Sequence, residues 1–215
     1  MRKKIILLIG PPGSGKGTQG KLLAEKLMLL HISTGDIFRK IAINNTDESR
    51  ILHEYMDSGK LVPSELVNRI VKQVLLSDDY KNGCVLDGYP RNLEQAEYLG
   101  KNVEAEISCV FFNVADEVAI KRIAGRYSCE ICGNIYNKYY DNPKIEGVCD
   151  NCGSTELIFR SDDDEKTVLS RMEEYKKETL PLIEYYKHKE KFFNVNAAAK
   201  KEEVKAEIDL IVKTI

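Results

Sequence analysis

The sequence feature that most limits the fold of this chain is a glycine-rich segment near its start. Residues 10–20 read GPPGSGKGTQG, and Gly10 to Lys16 match the phosphate-loop pattern G-x-x-x-x-G-K. A short apolar run, KKIILLIG, precedes the segment, and apolar residues at helical spacing follow it. In a strand–loop–helix unit of this kind, backbone N–H groups and the positive end of the helix converge on phosphate oxygens. The pattern therefore predicts a nucleotide-phosphate site in which Lys16 reaches the phosphates.

One position departs from the strict pattern. Gly17 stands where the pattern has a Ser or Thr whose hydroxyl holds Mg²⁺, and the next hydroxyl is that of Thr18. Mg²⁺ gives up water reluctantly and often binds through phosphates and water, so a carboxylate can hold it through its waters. Asp87 follows the apolar run CVL, at the carboxyl end of a predicted strand, where open α/β sheets bind ligands. We expect Asp87 to serve this role; the alternative is a turn-forming Asp before Gly88.

Apolar runs alternate with helical patterns along most of the chain. GCVLDG, ISCVFFNV and KFFNVN are typical of buried strands, and the pattern predicts helices over 15–30, 63–76, 93–100, 116–126, 165–189 and 200–215. Pro181 should break or bend the helix over 165–189. This alternation predicts an α/β fold with a parallel sheet. Residues 33–62, which read as short helices, and residues 127–159, which are rich in Cys, Gly, Asn and Tyr, are predicted insertions.

Four of the six cysteines form two close pairs. They give the pattern C-x2-C-x16-C-x2-C, which is typical of a tetrahedral zinc site whose ligands all come from the protein: Cys129, Cys132, Cys149 and Cys152. With no position left for water, such a site predicts a structural zinc. Iron fits the same ligands, and two disulfides or free thiols are the remaining alternatives.

Composition and charge exclude several classes of protein. The 215 residues, 43% of them apolar, suffice for one compact core. A net charge of −2 with interspersed signs gives no field for nucleic acid or an anionic membrane. The cysteine-rich segment 127–159 carries five acidic and two basic residues, which disfavours a nucleic-acid-binding ribbon. The first apolar run is too short for a secretion signal or a membrane span, so we expect a cytoplasmic protein.

The motifs taken together resemble one known family. GPPGSGKGTQ, ISTGDIFR, LDGYPRNLEQA and RIAGR occur in this order and continue into RSDDDEKTVLSRMEEY. This set is similar to the adenylate kinases over nearly the whole chain, and the segment 127–159 resembles the zinc-bearing, long-lid form of that family. The resemblance implies a P-loop three-layer fold with a five-stranded parallel sheet. It divides the chain into a core of 1–32, 63–124 and 163–215, a nucleoside-monophosphate-binding insertion of 33–62 and a lid of 125–162.

The same resemblance implies an activity. The expected reaction is ATP + AMP ⇌ 2 ADP, catalysed by a monomer with Mg²⁺ bound to ATP and structural zinc in the lid. Members of the family that resemble this chain carry Gly-Lys-Gly-Thr in the phosphate loop and hold magnesium through water, so Gly17 does not mark an inactive site.

The family motifs assign site residues, numbered as in this chain. The implied ATP contacts are Gly13, Ser14, Gly15, Lys16, Gly17, Thr18, Arg122, Arg126, Ile135, Tyr136 and Ala199. The implied AMP contacts are Thr34, Arg39, Lys60, Leu61, Val62, Gly88, Tyr89, Pro90, Arg91, Gln95, Arg160 and Arg171. The implied catalytic set is Lys16, Arg91, Arg126, Arg160 and Arg171.

Three further expectations concern charge and base choice. Arg122 and Arg126 are four residues apart, which predicts that they share one helix face. Asp162 and Asp163 either position arginines or cap the following helix. Gln95 offers a donor and an acceptor that match the adenine edge, whereas related pyrimidine-nucleotide kinases tend to carry Asn there.

Two other functions stay open. A kinase for another nucleoside monophosphate is the close alternative. A P-loop regulator or zinc-ribbon adapter that binds nucleic acid is the alternative from a different class.

Overall fold

The computed structural model describes residues 3–189 and 191–215, apart from the side chain of residue 161. Eight strands are described: β1 (Lys3–Ile9), β2 (Leu30–Ser33), β3 (Gly83–Asp87), β4 (Ala105–Asn113), β5 (Arg126–Cys129), β6 (Ile135–Asn137), β7 (Leu157–Ile158) and β8 (Lys191–Asn196). Nine α-helices are described: α1 (Lys16–Leu27), α2 (Thr34–Ala42), α3 (Asp47–Asp57), α4 (Ser64–Leu75), α5 (Leu93–Asn102), α6 (Asp116–Ala124), α7 (Glu165–Glu174), α8 (Leu182–Lys187) and α9 (Lys201–Thr214).

A five-stranded sheet of order β2-β3-β1-β4-β8 forms the centre of the molecule, and all its strand pairs are parallel. Successive residues of β1 enter different cores, because side chains alternate across a strand. Ile5 and Leu7 pack in one buried cluster, and Ile6 and Leu8 pack in another on the opposite face. Helices cover both faces, which confirms the predicted three-layer α/β fold with a five-stranded parallel sheet.

A smaller sheet of order β6-β5-β7 lies outside this core and is antiparallel. It belongs to the cysteine-rich segment, whose buried hydrophobic residues, Cys129, Tyr136 and Cys149, form a cluster separate from the two main cores. Residues 33–62 contain α2 and α3, in agreement with the short helices predicted there. In the described part of the chain, no helix combines the length and the apolar character that a membrane crossing requires.

Several element boundaries differ from the sequence predictions. The helix predicted over 15–30 ends at Leu27, because Met28 takes a left-handed conformation (φ 53°) and its N–H bonds back to the last turn. The residues that follow form β2, a strand that the apolar periodicity did not predict. The interruption predicted at Pro181 is present: a π-helical turn over Tyr175–Thr179 follows α7, and α8 begins after the proline.

The prediction that Arg122 and Arg126 share one helix face is wrong. Helix α6 ends at Ala124, and Gly125 occupies its C-cap. Arg126 is the first residue of β5 and pairs with Asn137 of β6. Arg122 therefore belongs to α6, whereas Arg126 belongs to the small antiparallel sheet.

Candidate active site

A cleft of about 720 Å³ lies at the carboxyl ends of the parallel strands. Its walls come from the glycine-rich loop, from α2 and the segment around Lys60, from the lid, and from the loop between β8 and α9. A parallel α/β sheet places ligands at this edge, because every strand delivers its following loop there. Most of the side chains selected from the sequence therefore meet in one cavity.

The glycine-rich loop joins β1 to α1 and wraps tightly against α6. At Gly13, φ is +79°, and a Cβ there would lie 2.3 Å from the carbonyl oxygen of Ala119, so only glycine fits. Gly15 (φ +85°) occupies the N-cap of α1. The loop residues Gly13 to Thr18 all line the cleft next to this helix end, which carries partial positive charge.

Lys16 begins α1, and its ammonium group folds back onto the loop. Its Nζ donates to the carbonyl oxygens of Gly10 and Pro11 at 2.6 and 2.8 Å, and to Ser14 Oγ at 3.3 Å. Burial, which Asp87 only partly offsets, lowers the pKa of Lys16 to about 8. A phosphate in the cleft would provide an anionic partner for this cation.

Asp87 ends β3 and faces the glycine-rich loop. In register it lies beside Leu8 of β1 and Ser33 of β2. A Cβ at Gly17 would lie 3.4 Å from Asp87 Oδ2, which is van der Waals contact, so position 17 adjoins this carboxylate. The opposite side is bordered by His31, whose Nε2 is 3.9 Å from the same oxygen. Burial lowers the pKa of His31, which favours the neutral imidazole beside Asp87.

Six arginines line the cleft: Arg39, Arg91, Arg122, Arg126, Arg160 and Arg171. They come from α2, the loop after β3, α6, β5, the end of the lid and α7, so the fold collects them from distant parts of the sequence. Burial lowers the pKa of Arg160 to about 10, and repulsion from Arg126 and Arg39 adds to the effect. The arginines thus form a concentrated positive field with room for an anion between them.

Two aspartates connect these arginines. Asp163 accepts two hydrogen bonds from Arg126 and one from Arg171. Asp162 accepts from Arg171 at 3.2 Å and lies 3.9 Å from Arg39. Burial alone would raise the pKa of Asp162, but the surrounding arginines hold it below its ordinary value. Both carboxylates therefore position arginines, whereas Asp164 caps α7 through the N–H of Thr167.

The residues expected on the AMP side divide into two groups. Those that line the cleft are Arg39, Lys60, Leu61, Val62, Gly88, Pro90, Arg91, Gln95, Arg160 and Arg171. Thr34 and Tyr89 do not belong to the cleft wall, because they are almost fully buried and use their hydroxyls within the fold. Thr34 donates to the carbonyl oxygen of Gly88 at 2.9 Å, and Tyr89 donates to Asn68 Oδ1 at 2.7 Å. Their direct contact with AMP stays a prediction.

Gln95 is held in place from two sides. Its N–H bonds to Asn92 Oδ1, which caps α5, and its side-chain oxygen accepts from the N–H of Arg91 at 2.8 Å. Only 1% of Gln95 is exposed, yet it lines the cleft. The bond to Arg91 orients the amide so that its NH₂ group is the end left to donate to a ligand.

The residues expected against the ATP base meet at the far end of the cleft. Arg122, Ile135, Tyr136 and Ala199 all line it. Arg122 Nη1 donates to the carbonyl oxygen of Ala197 at 2.8 Å, which connects α6 to the loop that contains Ala199. The wall here is formed by a guanidinium, a short lid strand and small side chains, a surface on which a flat ring fits.

The four clustered cysteines converge beside the small antiparallel sheet. The Sγ atoms of Cys129, Cys132, Cys149 and Cys152 all lie within 4.8 Å of one another. The distance is 3.6 Å between Cys129 and Cys152 and 3.5 Å between Cys132 and Cys149. None of the four cysteines forms a disulfide, so the disulfide alternative is not seen. This arrangement places four sulfur ligands around one metal position.

Sequence reasoning missed several charged residues of the cleft, and Asp36 is the one that contacts its arginines. Asp36, in the first turn of α2, accepts a hydrogen bond from Arg39 and lies 3.5 Å from Arg160. Burial opposes ionisation of Asp36, but these arginines hold its pKa below its ordinary value. Asp36 therefore orients Arg39. The i, i+3 spacing of the two residues on a predicted helix was the signal that could have revealed this pair.

Comparisons with known proteins agree with this geometry. The model of the family described as adenylate kinase matches residues 8–191. An adenylate kinase from Rickettsia africae is 49% identical over 209 residues, which cover 97% of this chain and 99% of the relative. One from Rickettsia conorii is 48% identical over 209 residues with the same coverage, and one from Rickettsia typhi is 49% identical over 210 residues. The matched region contains the glycine-rich loop, the arginines of the cleft and the four cysteines, and the chain therefore belongs to the adenylate kinase family.

Proposed function

We propose that this protein catalyses reversible transfer of the terminal phosphate of ATP to AMP, which yields two ADP. The observation that carries the proposal is the presence of two phosphate-binding groups in one cleft. The glycine-rich loop with Lys16 forms one group, and Arg39 with Arg91 forms the other. Arg171 lines the same cleft as both groups, and Asp162 lies 3.2 Å from Arg171 and 3.9 Å from Arg39. A site for a single nucleotide has no need of the second group.

Catalysis would rest on position and charge. Phosphoryl transfer between two bound nucleotides requires the attacking and leaving oxygens to be in line, with positive charge around the moving group. That charge comes from Arg126, Arg160 and Arg171, and Lys16 contacts the phosphates of ATP. Asp162 and Asp163 hold the arginines in a fixed arrangement, so little reorganisation is needed during the reaction.

The choice of bases follows from the two ends of the cleft. Gln95, with its amide oriented by the N–H of Arg91, would donate to the adenine of AMP. Backbone groups at Lys60, Leu61 and Val62 complete the AMP side of the cleft. The adenine of ATP is covered by Arg122 and by the strand that contains Ile135 and Tyr136. Thr34 and Tyr89 support this end indirectly, because their hydroxyls hold the loop after β3 and α5 in place.

The metal requirements fit the residues present. Asp87 is available to hold Mg²⁺ through water, because Gly17 leaves the carboxylate facing the glycine-rich loop. Magnesium bound to ATP would neutralise charge on the transferred phosphate.

In the lid, tetrahedral zinc with bonds of about 2.3 Å places sulfurs about 3.8 Å apart. The sulfur pairs at 3.6 and 3.5 Å are close to that spacing, so a structural zinc suits the cysteines.

We propose a division of the chain into three parts. Residues 33–62 form an AMP-binding insertion, residues 125–162 form a lid, and the remainder forms the core. Lid closure would exclude water, which otherwise competes with AMP for the phosphate. We further propose that the protein acts as a monomer in the cytoplasm, without nucleic-acid or membrane partners.

A nucleotide panel tests the proposal. ADP formation is measured from ATP and Mg²⁺ with each of AMP, GMP, CMP and UMP as acceptor. Fast formation with AMP alone, lost in Arg91→Ala, is the expected result. The matched control is Arg69→Ala, because Arg69 lies on α4 in an exposed pair with Glu48 and its loss should leave the rate unchanged.

The two alternatives give different results in the same experiments. Transfer to CMP or UMP would show that the protein is a kinase for another nucleoside monophosphate. The prediction that Gln95 selects adenine would then be wrong. No transfer to any acceptor, together with a gel shift of nucleic acid at physiological salt, would show the P-loop regulator or adapter.

A further inference from the structure

We infer that the Tyr136 hydroxyl supports the metal centre of the lid from outside its ligand set, and that it connects this centre to the strand that borders the nucleotide cleft. The inference rests on the metal site proposed for the four cysteines. It concerns the side chain of a residue that the family motifs selected only as an ATP contact.

The hydroxyl has two partners at the cysteine cluster. Tyr136 Oη donates to Cys149 Sγ at 3.5 Å and accepts from the N–H of Asp150 at 2.6 Å. A phenol has one proton, and because the amide occupies an acceptor position of the oxygen, that proton is free for the sulfur. Tyr136 is 3% exposed, so water does not compete for either bond.

The negative charge on the sulfur ligands makes the hydrogen bond from Tyr136 stabilising. A divalent metal held by four thiolates has a formal charge of −2, and the sulfurs carry most of it. Hydrogen bonds from donors to such ligands stabilise the bound metal, and their loss typically costs 10–100-fold in affinity. The Tyr136 hydroxyl is a side-chain donor of this kind, and it meets a sulfur in the smallest hydrophobic cluster of the molecule.

The position of Tyr136 in β6 extends the effect toward the cleft. The neighbouring Ile135 lies against the glycine-rich loop, since a Cβ at Gly17 would be 4.0 Å from Ile135 Cδ1. In the turn before β6, the carbonyl oxygen of Gly133 accepts a bond from Lys21 of α1 at 3.5 Å. The hydroxyl thus joins the metal centre to the part of the lid that contacts the ATP side.

A matched pair of variants tests the inference. Tyr136→Phe removes only the hydroxyl that meets Cys149. Tyr127→Phe removes the hydroxyl of the ring stacked on Tyr136 at 5.6 Å, but that hydroxyl bonds to Asn142 Oδ1 and does not reach a sulfur. The probe is zinc itself: zinc-loaded full-length protein competes with a chromophoric chelator, with no nucleotide present.

We expect zinc affinity to fall 10–100-fold in Tyr136→Phe and to stay within twofold of the wild type in Tyr127→Phe. Because no nucleotide is used, this result is independent of the proposed kinase activity. Circular dichroism in excess zinc checks that both variants are folded. Unchanged affinity in Tyr136→Phe, equal losses in both variants, or a wild-type chain that takes up no zinc would overturn the inference.

A second readout tests the connection to the cleft. In excess zinc, Tyr136→Phe should raise the KM for ATP several-fold and leave the KM for AMP unchanged, because only the lid strand is disturbed. An equal rise in both KM values would contradict the connection.

Discussion

Arg126 and Asp163 join the small antiparallel sheet to the segment before α7 through two parallel hydrogen bonds, one of which runs from Arg126 Nε to Asp163 Oδ2 at 2.7 Å. Arg126 begins β5 of that sheet, and Asp163 lies just before α7. The Asp163 side chain is only 5% exposed, so water screens the pair weakly. Burial opposes the charged form of Arg126, yet this partner raises the arginine's pKa above its ordinary value.

Loss of this carboxylate should leave Arg126 without its ion-pair partner, whereas Arg171 keeps its contact with Asp162. We expect Asp163→Asn to lower the free energy of unfolding by about 3 kcal/mol, as for other broken buried pairs. Urea unfolding measures the change. The control is Asp47→Asn, which breaks an exposed pair with Arg50 and should cost less than about 1 kcal/mol. ADP should stabilise Asp163→Asn more than the wild type, because its phosphates replace the missing anion; equal stabilisation would contradict this view.

The lowered pKa of Lys16 predicts how ATP binding depends on pH. ATP phosphates bind the protonated ammonium, and that form is lost in the ligand-free protein as pH rises through about 8. The dissociation constant of ATP should therefore increase about tenfold between pH 7 and pH 9. Calorimetric titration at several pH values measures it.

A charge-retaining variant provides the control for this pH effect. Arginine stays protonated throughout this range, so ATP binding by Lys16→Arg should vary little between pH 7 and pH 9. The same pH dependence in Lys16→Arg would show that another group titrates. The free energy of unfolding of the ligand-free protein should change in the opposite direction. It should rise as pH rises from about 8 towards 10.5, because the unfolded chain then binds more protons than the folded protein.

The side chain of Gln95 should determine how tightly the adenine of AMP binds. Gln95→Ala removes the amide that the Arg91 N–H orients, so we expect the KM for AMP to rise about tenfold to a hundredfold, the range of a good base contact. The KM for ATP should stay the same. Steady-state kinetics with both nucleotides measures the effect, and Gln73→Ala, an exposed position of α4, is the control. An equal change in the two KM values would exclude a specific base contact.

Removal of the metal should lower the stability of the protein before it affects phosphoryl transfer. The four cysteines serve a lobe whose buried cluster is small, so the metal replaces a missing hydrophobic core. A strong chelator should lower the melting temperature, whereas protein that is still folded should retain phosphoryl transfer. Differential scanning calorimetry and the coupled assay, performed on the same samples, test this. Lost transfer with unchanged melting would instead indicate a metal with a direct part in the reaction.

The parts of the site that follow from local patterns could be predicted from the sequence. The glycine spacing of residues 10–16 specifies a loop whose backbone conformations only glycine adopts easily, and the C-x-x-C pairs form tight turns on their own. Asp87 could be placed because it follows an unbroken buried run, so its position at the end of β3 depends only on that strand.

The errors arose where tertiary contacts decide the structure. Leu27 to Leu30 continue the helical periodicity of α1, but Met28 adopts a left-handed conformation and the chain enters the edge strand β2. Arg126 continues the pattern of α6, but pairing with β6 draws it into a strand. No sequence pattern showed that the hydroxyls of Thr34 and Tyr89 would be satisfied inside the fold, because their partners are distant in sequence.

An assay with ADP and Mg²⁺ as the only substrates shows directly whether one cleft transfers phosphate between two nucleotides. One cleft with two phosphate-binding groups should hold two ADP molecules and convert them to ATP and AMP. The account predicts that chromatography shows ATP and AMP in equal amounts and that no inorganic phosphate is released. Absence of ATP, or release of phosphate in its place, would contradict the account, because transfer between two nucleotides would then not take place.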